Sequence, residues 1–259
     1  MGHIRLGTLP RSKKWRDVID ILESGADVLA VAEAAARASE LDLDRASDDP
    51  RFQFIARLMV QLPLLARAPG FPSALEDLGA GPNALQSIPD LLVGLNRIIE
   101  QNTFEAGRSS DPGELARLAL VETLSAHLTD RLPSLFAPEP TEIRRALAAF
   151  AGGQAFASLA RDFFARLTYR SLDYYLSREL ANHTGPGRRF STDADRTAFQ
   201  RALATHVFEA SRIVEAFAAG WYGKTVWRDQ KLNQEEINRF TRYAFSKMRS
   251  ELGRRRAAA

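Results

Sequence analysis

The chain has 259 residues, 45% of them hydrophobic and 26% charged, with a formal net charge of +3 and no cysteine. That length and apolar content supply a core for one large domain or two packed sub-bundles. The missing cysteine removes disulfide frameworks, thiolate metal ligands and cysteine nucleophiles. No uninterrupted apolar run of about 18 residues occurs, which argues against a membrane span, and the N-terminus lacks an apolar core of signal-peptide length, so a cytoplasmic protein is expected.

Taken in chain order, the sequence is punctuated as helices almost throughout. After an extended N-terminal arm, Ser12 is placed to cap a helix carrying Trp15, Val18, Ile19 and Leu22 and stopping at Gly25. Asp27 opens a second, alanine-rich helix, and an acidic connector spans Glu40 to Asp49. Asp49 followed by Pro50 reads as N-cap and N1, with Phe54, Ile55, Leu58, Met59 and Leu62 behind them and Pro63 kinking or ending the helix. One short helix is expected from Ser73 to Leu78, and Ser87 with Pro89 starts the next. Asp111-Pro112-Gly113-Glu114 reads as a cap, N1 proline and early acid, and Thr141 as the cap of the helix after Pro140.

From about Gln154 to His183 the pattern is one long helix or two in tandem, ending at Gly185-Pro186-Gly187. Phe199, Leu203, Val207, Ala210, Val214, Phe217 and Trp221 recur in steps of four and three, which predicts a single amphipathic helix. Asn233, with Glu236 three residues on, starts the last one. The expectation is an all-α protein of about nine helices without a sheet. Its best boundary separates residues 1–108 from 109–259, although a single domain fits as well.

The two parts differ chemically. Residues 151–259 hold 19 Lys+Arg against 11 Asp+Glu, a formal +8, and 16 of the 23 aromatic residues; residues 1–150 hold 16 against 21, a formal −5. Arginine outnumbers lysine 30 to 5, a bias typical of GC-rich bacterial genomes, so part of the arginine excess is compositional. The strongest local signal is the stretch 220–231, read as a connector between helices. It sets Trp221, Tyr222 and Trp227 among Lys224, Arg228 and Lys231. Trp221 reads as core, whereas Tyr222, Lys224, Trp227, Arg228, Lys231, Arg239, Arg242, Arg254, Arg255 and Arg256 are the candidate partner-binding residues. Rings among cations suit stacked bases and phosphates, and equally suit protein hot spots.

No P-loop, dinucleotide fingerprint, nucleophile elbow, HExxH or EF-hand spacing is found. No metal site and no cofactor is therefore expected, and no catalytic set is assembled. Two pairs carry the one competing reading: Arg178 with His183, and Arg201 with His206. Arg, four residues, then His resembles the short motif of the helical HEPN ribonucleases. That resemblance implies a dimer cleaving RNA without metal, with histidine moving the proton and arginine steadying phosphate charge. It covers six residues. The leading expectation is instead a non-enzymatic interaction module, a subunit of a larger assembly, whose basic aromatic C-terminal surface contacts a protein partner or nucleic acid.

Overall fold

Apolar periodicity and side-chain caps, rather than strand pairing, organise this chain, and the computed structural model describes residues 12–39, 46–105, 110–132, 138–229 and 233–257. The elements in order are α1 (Lys13–Glu23), α2 (Val28–Ala38), α3 (Pro50–Leu65), α4 (Phe71–Asp77), α5 (Ile88–Glu105) and α6 (Asp111–Arg131). They continue as α7 (Pro140–Ala149), α8 (Gly153–Asn182), α9 (Asp193–Ala210), α10 (Arg212–Asp229) and α11 (Gln234–Ala257). The fold is all-α. Among the described residues there is no strand, only an isolated bridge between Thr184 and Phe190, and no helix is long and apolar enough to cross a membrane.

Helix starts follow local chemistry. Ser12 accepts from the Trp15 amide, Asp27 from Ala30 at 2.8 Å, Asp49 from Phe52 at 2.8 Å, and Asn233 from Glu236 at 2.8 Å, each satisfying an amide that the first turn leaves without a helical partner. Two expected caps move. Ser110, not Asp111, caps α6, and Glu139, not Thr141, caps α7. Proline is tolerated at either of the first two helical positions, so it brackets a helix start without fixing the cap residue.

The helix expected over 199–221 is two helices. Ser211 interrupts it, with its hydroxyl donating to the Phe208 carbonyl at 2.6 Å, the local competition that serine offers a helical backbone. Beyond the interruption the buried row is Val214, Ala218 and Tyr222. Phe217 and Trp221 move to its shoulder. The stretch expected as a connector is also helical as far as Asp229.

The long α8 forms the axis of the core, packed by α6, α9 and α10, while α3 meets α5, α6, α7 and α11. A contiguous cluster of buried apolar side chains extends from Trp15 to Leu252. At its centre Tyr222 stacks on Phe156 with ring centroids 3.9 Å apart and planes 11° apart. Its hydroxyl donates to the Val60 carbonyl at 3.2 Å. The partner is intelligible from Pro63, which lies inside α3: a proline there has no N–H for the Met59 carbonyl and loosens the adjoining turn, so a neighbouring carbonyl is open to an outside donor.

Where α3 crosses α6, Gly113 lets the stem of Arg51 lie on the helix backbone. A Cβ at position 113 would come within 2.7 Å of the Arg51 Cβ and Cγ. The guanidinium, 6% exposed, reaches Glu100 at 2.7 Å and Glu114 at 3.3 Å. Other arginines close helix ends. Arg144 donates to the Ala66 carbonyl at 3.1 Å, Arg67 to Ala151 at 3.2 Å, and Arg189 to Leu22 at 2.8 Å and to Ala26. These carbonyls lie at the C-terminal ends of α3, α7 and α1, where peptide oxygens lack helical donors and attract positive charge.

Candidate interaction surface

The residues of the basic aromatic half divide into core and surface in a way that burial decides. Tyr222 is fully buried. Its expected role as a surface ring is therefore corrected: the helix continues through 229 and turns position 222 inward, against Phe156. Burial drives its phenol pKa well above the ordinary range, with the Arg67 charge opposing only in part, so the hydroxyl remains a donor. Trp221, expected in the core, is half-buried: it stacks on Phe240 with centroids 4.1 Å apart and packs against the core from its shoulder.

The rings that do reach the surface lie along the seam of α10 and α11. Phe217 meets Tyr243 edge to face at 4.7 Å and Phe240 at 5.7 Å. Tyr243 is 48% exposed, and the Lys247 ammonium sits 5.1 Å from its ring centroid. On α10, Phe217, Trp221 and Lys224 follow one another at four and three residues, so they share a face. Lys224 and Arg239 are both exposed. The seam is thus a short row of partly exposed rings with a lysine at either end. Sequence reading missed Phe217 and Tyr243 as surface groups. The available signal was the Phe240-Tyr243-Lys247 spacing of three and four, which aligns ring, ring and cation on one helix.

Several expected cations are neutralised at short range. Arg242 pairs with Asp48, Arg254 with Glu251, and Arg239 with Glu235 at 3.7 Å. These exposed pairs contribute little to stability. They do make the surface mixed in sign rather than uniformly basic. Lys231 and the side chains of Trp227, Arg228, Arg255 and Arg256 lie outside the described residues.

The paired Arg and His residues are not brought together. His183 is the C-cap of α8 and its Nε2 is 3.8 Å from Glu23 of α1, while Arg178 is exposed on α8. A separation of five residues also puts them about 140° apart around an ideal helix. His206 is buried on α9 and Arg201 is exposed.

His127 on α6 pairs with Asp162 of α8, at 3.5 Å. Burial raises the Asp162 pKa, yet His127 and Arg166 together outweigh it and hold the carboxyl below its usual range. Arg166 and Arg170 both reach Glu122, so this ladder of charges fastens α6 to α8. Among the described residues no cluster of three His, Cys, Asp or Glu side chains could hold a metal.

A small cleft opens among Phe52, Leu115, Leu167, Tyr175 and Phe245. Polar groups at its edge serve the protein itself. Tyr174 donates to Asp111 at 2.7 Å, and Ser171 and Ser39 each donate to a carbonyl one turn back.

No protein-family model matches this chain, and no curated protein or solved structure matches it either.

Proposed function

We propose that the protein is a non-enzymatic helical interaction module, a subunit of a larger assembly, that contacts a protein partner through the α10–α11 seam. The observation that carries this reading is the row Phe217, Trp221 and Tyr243, partly exposed and bounded by Lys224 and Lys247. Large rings with cations at their margin concentrate binding energy at protein interfaces. A nucleic-acid groove needs a run of cations free to follow phosphates. Here Arg239, Arg242 and Arg254 are engaged by carboxylates, which favours the protein partner.

A photo-crosslinking amino acid placed at Tyr243 in the full chain tests the reading, with exposed Asp17 on α1 as the control site. Adducts to polypeptide at 243, absent at 17 and weakened by Lys224→Glu with Lys247→Glu, are expected. Equal adducts at both sites overturn the proposal. So does binding to RNA, single-stranded DNA or duplex that falls steeply with salt, since that is the signature of phosphate contacts.

A further inference from the structure

A second surface complements the first. On α5, Val93, Arg97, Glu100 and Phe104 follow at four, three and four residues and share one outward face. Val93 is 50% and Phe104 88% exposed, and a phenylalanine so open to water has no role in this chain's own core. The segment 78–84 runs alongside. Gly79 has φ +96° and passes so close to Gln101 that a Cβ there would sit 1.9 Å from its Oε1, while Ala80 packs beside Gly94. Leu78, also exposed, therefore lies at the Phe104 end of α5, preceded by exposed Glu76 and Asp77.

Charge distinguishes this face from the seam. Residues 70–105 hold five acids (Glu76, Asp77, Asp90, Glu100, Glu105) against Arg97, a formal −4 that Arg51, paired with Glu100, reduces to −3. Residues 212–257 hold eleven Lys+Arg against five acids, a formal +6 that Asp48, paired with Arg242, reduces to +5. The main packing partners of α5 are α3 and α6, whereas those of α10 are α8, α9 and α11, so the acidic face is not a neighbour of the seam within one copy. The lengths are comparable. At 1.5 Å per residue, Val93 to Phe104 spans about 16 Å and Phe217 to Lys224 about 10 Å, with the Tyr243–Lys247 turn beside it.

We infer that the α10–α11 seam receives the α4–α5 face of a second copy of this chain, head to tail, with Phe104 meeting the Phe217–Tyr243 rings and the acids of α4 meeting Lys224 and Lys247. This rests on the interaction reading above and adds the partner's identity. Two different patches form the junction, so it is heterologous: it closes into a ring or propagates rather than stopping at a symmetric dimer. Opposite charges at the rim make association sensitive to salt.

Sedimentation velocity of the full chain, up to about 100 μM so that a weak interface is populated, provides the test. The wild type is expected to form species larger than a dimer, with affinity falling about tenfold from low salt to about 0.5 M. Phe104→Glu removes one half of the junction, and Tyr243→Ala with Lys247→Glu removes the other. Each variant alone is expected to be monomeric. Mixed one to one, they retain a single intact junction and form a heterodimer. Positions 104 and 224 are exposed, so Phe104→Glu and Lys224→Glu keep the test valid if the double variant folds poorly. Assembly that survives Phe104→Glu, or a folded mixture that stays monomeric, overturns the inference. A monomeric wild type that still gives polypeptide adducts at position 243 overturns it while leaving the interaction reading in place; no assembly and no adducts removes both.

Discussion

Replacing Tyr222 by phenylalanine deletes one oxygen from the centre of the molecule and little else, so its consequence can be worked from local geometry. The ring keeps its stack on Phe156, at 3.9 Å, and its apolar burial. What is lost is the hydrogen bond to the Val60 carbonyl, 3.2 Å long. A buried hydrogen bond contributes about 0.5–1.5 kcal/mol net, and a carbonyl stripped of its partner adds to the loss. About 1–2 kcal/mol is therefore expected, and at about 2–4 °C per kcal/mol for a chain near this size the Tm falls by roughly 2–8 °C. Urea unfolding followed by far-ultraviolet circular dichroism measures it, and the m-value should not change because the exposed area does not. Alkaline pH supplies a second readout. The folded phenol has a raised pKa, so its contribution is complete below the unfolded value near 10 and declines as the pH rises above it. Wild-type stability should fall off above about pH 10, and less steeply in Tyr222→Phe. A variant as stable as the wild type, or one with intact stability and lost crosslinking at position 243, refutes the placement of this ring in the core.

Gly113→Ala sets a gain in helix propensity of about 1 kcal/mol against a Cβ driven into the Arg51 stem. Overpacking of that kind costs about 1–3 kcal/mol, so a net loss in urea midpoint is expected. Gly220→Ala and Gly223→Ala have open space at the Cβ and lie within α10; each should stabilise by about 0.5–1 kcal/mol in the same assay. Asp162 has a depressed pKa, so its contribution is present above the unfolded value near 4 and fades as pH falls. In Asp162→Asn the loss of stability on acidification should be shallower than in the wild type, measured as the urea midpoint across an acid pH series.

The sequence made the helices legible because their start signals are short-range. A side-chain oxygen at Asp27, Asp49 or Asn233 bonds an amide three residues away, and that geometry needs no tertiary partner. The phase of α10 was not legible. After Val214, both Phe217–Trp221 and Ala218–Tyr222 continue an apolar row, and the choice falls to Phe156 and Val60, distant in sequence. The same limit applies to the surface. Arg242 reads as a free cation until Asp48, 194 positions earlier, is seen beside it. His183 reads as the partner of Arg178 until Glu23 is found opposite it. The exposure of Phe104 is likewise a property of where α5 lies, since an isolated phenylalanine in a helical pattern ordinarily signals core.

The arginines that close helix ends bear on the order in which the chain can complete itself. The last carbonyls of α1 and its connector, at Leu22 and Ala26, receive Arg189, 167 and 163 positions further on, and Ala66 waits for Arg144. During synthesis α1 can close its own end through the turn at Gly25, whose amide donates to the Leu22 carbonyl at 3.3 Å, but the residue that clasps it to the loop after α8 is made only much later. Each such clasp is a contact of large sequence separation, which slows folding and ties the melting of the first helix to that of the last third of the molecule. Proteolysis under native conditions would then find the α1 end opening together with the 184–190 loop rather than ahead of it.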